Sequence, residues 1–498
     1  MKFLLISPPY KLGIRFLVPE GMAIVKSLLN KKHQVKQIDL FMNIREWNKK
    51  CTKEEYIDLN LFNNIALVEE YLLNKSNNKK FDLELKKILS LIKPNQKDII
   101  AFSIHCSSQL IFALLISKMI KKLYGNKVIF GGAYFFIKNK YIFDKFKWVD
   151  IVVSGYINKT FSQIMTHIKK GKRILIINKE FDTNRSILPD YSNLDLNNYR
   201  YKFKGKYLKF LPVQTSQGCP FRCNFCNAYS VNPLVIYDSK SIFNNIIELK
   251  KRHNVNHFIF TNQLINADYG NTEELCNIII KSKLKIGWIS YAHPTNLDEN
   301  LINLMSKSGC LLLMFGLETA SQRVQKLMNK NIDIEHFKKV LILLKKYNIQ
   351  TALTLIIGYP GETKEDFNKT LKFIKEYSNY INEATPIRIR VLHKSKLFKY
   401  GNYQIKISKK ESFLDKLVCE YQFFSKKIPL KEQKRRLHES LRCIYKYIIR
   451  KEYPIFRLVP FLFFDLLYNK NLLFGSTAIY KLFNFICKFT PLDRNFKK

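Results

Sequence analysis

Three cysteines stand close together in the stretch Gln217-Gly218-Cys219-Pro220-Phe221-Arg222-Cys223-Asn224-Phe225-Cys226, at the spacing C-x3-C-x2-C. Thiolates are the ligands of iron–sulfur clusters, and a closed cubane takes four of them. Three neighbouring thiolates therefore point to a cluster with one iron left open, much as a catalytic zinc site keeps one position for its substrate. Such an iron can chelate a small molecule and pass it an electron. The competing readings are a structural zinc site and plain core cysteines. A structural zinc site closes with a fourth Cys or His at short spacing, and the nearest candidate, His253, lies far along the chain.

The loop must be held by the segments around it, and these alternate between β-type and helical patterns. From Leu211 onward, β-type runs fall at 211–217, 257–262, 286–291, 311–317, 350–357 and 385–392. Upstream, runs at Lys2–Ser7, Val35–Leu40, Asp98–Ile104, Val128–Gly132 and Val149–Gly155 are separated by helix-like stretches such as Gly21–Lys31 and Leu110–Leu123. Strands alternating with helices predict parallel sheets, whose ligands gather at the carboxyl ends of strands. In the first half those ends carry Ser7, Ser107, Ser108 and the pair Gly131-Gly132. Glycine allows a ligand close to the backbone, and a tight turn explains the pair equally well.

The cysteine spacing, with aromatic Phe225 before the last cysteine, resembles the radical S-adenosylmethionine (SAM) superfamily. Thr215-Ser216-Gln217-Gly218-Cys219-Pro220-Phe221 resembles its branch with an N-terminal cobalamin (B12)-binding-type domain. The resemblance covers most of residues 1–395. It implies a [4Fe-4S] cluster on Cys219, Cys223 and Cys226, with the amino and carboxylate groups of SAM on the open iron. Reductive cleavage of SAM would yield a 5′-deoxyadenosyl radical that abstracts hydrogen from the substrate. An electron donor such as flavodoxin or ferredoxin is the implied partner. The implied fold class is α/β: a doubly wound parallel sheet of Rossmann-like, B12-binding type over 1–155, a linker over 156–205, and a partial (β/α)6 TIM-like barrel over 206–395. Residues 396–498 read as a helical C-terminal region.

The resemblance extends to other strand ends. Phe315-Gly316-Leu317-Glu318-Thr319 resembles the segment whose carboxylate binds the SAM ribose, although Glu318 also reads as a helix-start acid before Ser321. Ile357-Gly358-Tyr359-Pro360-Gly361-Glu362-Thr363 resembles the stretch that passes beside the adenine. Ser107, Ser108, Gly131 and Gly132 are the expected cobalamin contacts. Three departures stand out. No D-x-H-x-x-G supplies a histidine below cobalt, and Ser154-Gly155-Tyr156-Ile157-Asn158 replaces the usual Gly-Glu-Gly-Glu. After the second barrel strand the family's F-x-D-D becomes Phe258-Ile259-Phe260-Thr261-Asn262-Gln263, so no acid/base role carries over. His293 reads as a polar substrate contact or a core residue, and His105 as a strand-end residue.

Composition bounds the remaining choices. The 498 residues are enough for two or three domains, and 47% hydrophobic with 25% charged residues is an ordinary globular balance. The net charge of +44, from 84 Lys+Arg against 40 Asp+Glu, is not ordinary. It is mostly Lys spread along the whole chain, and no nucleic-acid-binding motif accompanies it, which disfavours a nucleic-acid partner. Apart from the motif, seven cysteines (Cys51, Cys106, Cys276, Cys310, Cys419, Cys443, Cys487) are scattered singly and predict no disulfide framework. The apolar run at the N-terminus is too short for a signal segment, and no uninterrupted run reaches the ~18 residues of a membrane span. The expected location is the cytoplasm. Basic, helix-spaced 409–451 and the apolar run from Pro454 are expected to pack on the barrel. The resulting reading is a radical SAM enzyme acting on a peptide, natural-product or lipid precursor, with cobalamin-dependent methyl transfer as its reaction. Cobalamin-independent cyclisation or rearrangement, and radical modification of a nucleic acid, are the alternatives.

Overall fold

The computed structural model describes residues 1–9, 18–30, 32–136, 140–155, 157–178, 186–203, 206–228, 234–400, 420–422 and 428–449. The apolar β-type runs of the first half form one parallel sheet: β1 (Lys2–Ser7), β2 (Gln34–Asp39), β3 (Ile99–Ser103), β4 (Lys127–Gly131), β5 (Ile151–Gly155) and β6 (Ile174–Asn178). Their order is β2-β1-β3-β4-β5-β6. The chain direction of winding reverses between β1 and β3, which opens a crevice at the carboxyl ends of those two strands. Helices lie on both faces, and α1 (Glu20–Leu29) and α2 (Ser107–Tyr124) start at that crevice. Five of the strands were legible from apolar runs. The sixth, β6, falls in the stretch read as linker. It is an edge strand whose short apolar run, Ile174-Leu175-Ile176-Ile177, carries no alternation, and Ile177 is exposed at the sheet edge.

The second sheet contains β7 (Phe210–Gln214), β8 (His257–Thr261), β9 (Gly287–Ala292), β10 (Cys310–Glu318), β11 (Gln350–Ile357) and β12 (Glu383–Arg388). Each strand pairs in parallel with the next, in the order β12-β11-β10-β9-β8-β7. Six consecutive parallel strands with helical crossovers give the open, partial barrel. The expected run 385–392 is split: β12 ends at Arg388, and Arg390–Leu392 pairs antiparallel with Glu420–Gln422. The helical spacing read through Tyr421 therefore gives way to a strand there.

The carboxyl edges of the two sheets face one another. A single apolar cluster joins Val18, Ala23 and Met42 of the first unit to Tyr191, Leu211, Val213 and Tyr237 of the second. The segment after residue 186 straps the units together. Lys26 of α1 donates to Ser192 Oγ (2.6 Å) and Asn193 Oδ1 (2.7 Å), while Tyr191 donates to the Pro212 carbonyl (3.1 Å). Tyr199 donates to Asp39 Oδ2 at 2.8 Å.

In the C-terminal region α3 (Leu430–Ile444) packs against β12 and against the helix Lys364–Glu376. Tyr156, Cys419, Cys487 and the apolar run from Pro454 lie outside the described residues. Among the described residues, no helix is long and apolar enough to cross a membrane.

Candidate active site

The cysteine loop leaves the carboxyl end of β7 and is pinned on two sides by backbone and amide bonds. Asn224 donates through its backbone N–H to the Met328 carbonyl (2.8 Å) and through Nδ2 to the Leu327 carbonyl (2.9 Å). Asn329 Nδ2 donates to the Arg222 carbonyl (2.9 Å), and the Leu397 N–H to the Asn224 carbonyl (2.7 Å). Asn227 Nδ2 reaches the His393 carbonyl at 3.1 Å. The loop is thus held by the segment after β10 and by the segment after β12. Only the folded chain brings these together.

All three loop cysteines are free thiols; Cys223 is buried, and Cys219 and Cys226 are half-buried. Burial holds the Cys219 thiol up and pushes Cys223 up to about 11, with the Cys226 sulfur adding to the effect at both and Cys219 adding to it at Cys223. The Lys330 ammonium opposes that effect at both. Backbone amides aim at the sulfurs as well, since the Ala228 N–H donates to Cys226 Sγ at 3.4 Å. Three crowded thiols beside a cation are a donor set in which a metal cluster takes the place of the protons. Among the described residues, no three His, Cys, Asp or Glu side chains converge to hold a single ion. A cubane takes each thiolate on its own iron, and three thiols on one loop are the donor chemistry it needs. His253 is no fourth ligand; it sits edge-on to Tyr191.

Glu318 ends β10 where the pairing with β11 slips between Gly316 and Glu318. It takes a left-handed backbone (φ 63), an outlier for a glutamate and a device that turns its carboxylate inward. Glu318 is not a helix-start residue, because Ser321 caps the helix Gln322–Leu327. Its Oε1 accepts from Lys330 Nζ at 2.8 Å, and both side chains are nearly enclosed. A Cβ on Gly316 would run into that pair, so the missing side chain there leaves room for it. Lys330 Nζ also lies 5.6 Å from the Phe225 ring. Phe225 packs with Met328, Tyr359 and Leu397. Sequence reasoning missed Lys330. The available signal was its setting between Asn329 and Asn331, both left-handed (φ 51 and 57), which marks a tight turn presenting one lysine.

Gly358 follows β11 with φ 79 and donates its N–H to Glu362 Oε2 at 3.0 Å. His293, after β9, stacks on Phe221 of the cysteine loop at 4.1 Å. Burial and the nearby Lys330 push its imidazole down to about 3, so it is neutral at physiological pH. It stands in the wall of the loop. Cys219, Cys223, Cys226, Phe225, Gly316, Glu318 and Gly358 therefore share one end of the second sheet.

After β8, Asn262 ties neighbouring strands: Nδ2 donates to Thr215 Oγ1 (2.5 Å) and Oδ1 accepts from Ser290 Oγ (3.2 Å). A carboxyl group does reach this strand end, and it comes from the other sheet. Thr261 Oγ1 donates to Glu20 Oε2 at 2.7 Å, and Glu20 starts α1. As a residue Glu20 is half-buried, but its Oε1 is closed off from solvent and has no hydrogen-bond partner among the described residues. Burial pushes this carboxyl up to about 8.

At the first sheet's carboxyl edge, Gln109 organises the crevice. It donates to Ser7 Oγ (3.4 Å) and the Pro8 carbonyl (3.0 Å) and accepts from the His105 N–H (2.8 Å). Ser107 and Ser108 are half-buried at the start of α2, and Ser108 Oγ lies 3.2 Å from Cys106 Sγ. Gly132 (φ 114) abuts the Ile104 backbone where any Cβ would collide, so chain packing accounts for that glycine. A Cβ at Gly131 would meet Val153 only at ordinary contact distance, 3.8 Å, so chain packing does not demand that glycine. His105 is exposed and lies against Gly21.

Residues 213–374 match the family model described as the radical SAM superfamily. An uncharacterised methyltransferase of Pyrococcus horikoshii is 24% identical over 402 residues, covering 76% of this chain and 78% of its own. Among solved structures, the radical SAM methyltransferase TsrM from Kitasatospora setae superposes with a TM-score of 0.58 at 14% identity, covering 80% of this chain and 75% of that one. The cobalamin-dependent SAM radical enzyme OxsB gives a TM-score of 0.58 at 13% identity, over 89% of this chain and 66% of that one. The cysteine loop falls inside the matched residues and the second parallel sheet spans them, so the chain carries a radical SAM domain.

Proposed function

We propose that this enzyme binds a [4Fe-4S] cluster, SAM and cobalamin, and methylates an unreactive carbon of a peptide, natural-product or lipid precursor. The observation that carries this reading is the facing of the two carboxyl edges, fixed where Glu20 of α1 meets Thr261 of β8. A reaction that draws on two cofactors needs both close to one substrate, and ligands of such sheets sit at these edges.

Cys219, Cys223 and Cys226 would hold the cluster, which supplies the electron for cleaving SAM when it is bound. Lys330 lowers the cost of gathering thiolates here, and the left-handed turn around it keeps it in place. Glu318 would accept both ribose hydroxyls of SAM, since a carboxylate offers lone pairs to two donors. Gly316 leaves room for the Glu318–Lys330 pair, and the left-handed Gly358 would shape the turn beside the cofactor. Glu20, whose carboxyl is enclosed with one oxygen unpartnered among the described residues, would hold or accept a proton beside the substrate, the place where Asn262 and Gln263 supply none. Replacing Glu318 with Gln should weaken SAM binding about tenfold or more, because charge-assisted hydrogen bonds are worth roughly 1.5–3 kcal/mol each. Equilibrium dialysis with labelled SAM measures this, at unchanged iron content. Unaltered affinity would remove Glu318 from the pocket.

At the carboxyl edge of the first sheet, the small residues Ser107, Ser108 and Gly131 would let a flat ring and its tail approach the chain, with Ser7 buried beneath them, and the sequence has no D-x-H-x-x-G histidine to offer the cobalt. Reconstitution with hydroxocobalamin followed by gel filtration should give a chain that carries cobalamin along with its iron. A chain that elutes with its iron but without cobalamin would leave the first domain structural, and would move the reaction to cyclisation or rearrangement.

A further inference from the structure

The turn Gly358–Glu362 is completed by a residue from outside the family-matched region. Arg436, on α3, donates from Nη1 to Glu362 Oε2 at 2.8 Å and to the Thr363 carbonyl at 3.3 Å. The same Glu362 oxygen accepts the Gly358 N–H at 3.0 Å. Both charged side chains are enclosed, at 6% and 1% exposure, so neither has water as a substitute partner. One turn earlier on α3, Gln433 covers Gly358 itself, its Cγ lying 3.0 Å from where a Cβ would stand. Arg436 is in turn braced along its own helix by Glu432, whose Oε1 accepts from Nε at 2.8 Å. Tyr359, within the turn, donates to the Leu327 carbonyl at 3.3 Å, the carbonyl that also anchors Asn224 of the cysteine loop.

We infer that Arg436 is a positioning residue for SAM: through Glu362 it fixes the Gly358 turn, so that α3 completes the cofactor pocket. This rests on the reading of that turn as part of the SAM site. A buried carboxylate stays ionised and in place only with a partner, and the guanidinium fork sets the direction of that partner rigidly. Without Arg436, Glu362 either takes up a proton or swings away, and the Gly358 N–H loses a fixed acceptor. The left-handed glycine is then free to drift from the geometry that the cofactor needs. The linkage runs both ways, and bound SAM should tighten the docking of α3.

The test uses the anaerobically reconstituted full chain as wild type, Arg436→Lys, Arg436→Met and Glu362→Gln. Equilibrium dialysis measures SAM affinity, with iron content and melting temperature read on the same samples. Arg436→Met should weaken SAM about tenfold at unchanged iron per chain, the loss of one buried charge-assisted contact. Arg436→Lys should recover part of that, because the charge is kept and the fork is lost. SAM dissociation constants within about twofold of wild type in both Arg436 variants would overturn the inference. So would a loss of SAM that only tracks a loss of iron. If Arg436→Met fails to fold, Arg436→Lys and Glu362→Gln carry the comparison under the same criteria. A wild-type chain that holds iron but binds no SAM would instead sink the SAM reading of the site, and this inference with it.

Discussion

Changing any one of Cys219, Cys223 and Cys226 to Ala should abolish iron binding and SAM cleavage together. The three thiols are gathered on one pinned loop, and among the described residues no nearby donor can replace a lost one. The next cysteine along the chain, Cys276, is buried in the helix Tyr269–Lys281, and His293 is enclosed against Phe221. Wild type should take up about four irons per chain with broad absorbance near 400 nm, as a cubane does. Each Ala variant should fall to background in both. The fold itself should persist, because the loop is anchored by Asn224, Asn227 and Asn329 rather than by the sulfurs. A melting temperature close to that of apo wild type would show this. A variant that keeps its iron and still releases 5′-deoxyadenosine would defeat the cluster assignment.

Glu20→Gln should raise stability, and the gain should grow with pH. The carboxyl is held at about 8 in the fold against 4.5 when free. Below pH 4.5 both states are protonated and the group contributes nothing to the difference. Between 4.5 and 8 the unfolded chain ionises while the folded one stays protonated, so the fold loses up to about 1.4 kcal/mol per pH unit. Above 8 the penalty is constant. The variant, which cannot ionise, should therefore be more stable than wild type by roughly 2–4 kcal/mol at pH 8.5 and by under about 1 kcal/mol at pH 5. Urea denaturation of the apo chain at both pH values measures this. Equal stabilities at pH 8.5 would mean that Glu20 is already solvated or paired.

Several features were legible because they are local. The cysteine spacing lies within ten residues, and the apolar runs that became β1–β5 and β7–β11 each carry their own β-type pattern. Alternation of those runs with helices was enough to specify two parallel sheets, since a parallel crossover needs a helix between strands. Gly358 and Glu318 were found at the ends of such runs, where parallel sheets keep their ligands.

What only the tertiary structure decided is the set of partners that meet across long separations. Glu20 and Thr261 are 241 positions apart, and Arg436 and Glu362 are 74. No local pattern announces either pair, because a charged residue at a helix start or on a basic helix has the same appearance when it faces water. The sequence shows that acids are missing after β8. Only packing of the two sheet edges reveals that the other domain supplies one. Likewise Lys330 sits in an ordinary polar turn until the slip between Gly316 and Glu318 swings a carboxylate toward it. Sequence determined the chemistry of the loop and the order of the strands. Desolvation, which depends on what covers a group, decided which charges matter.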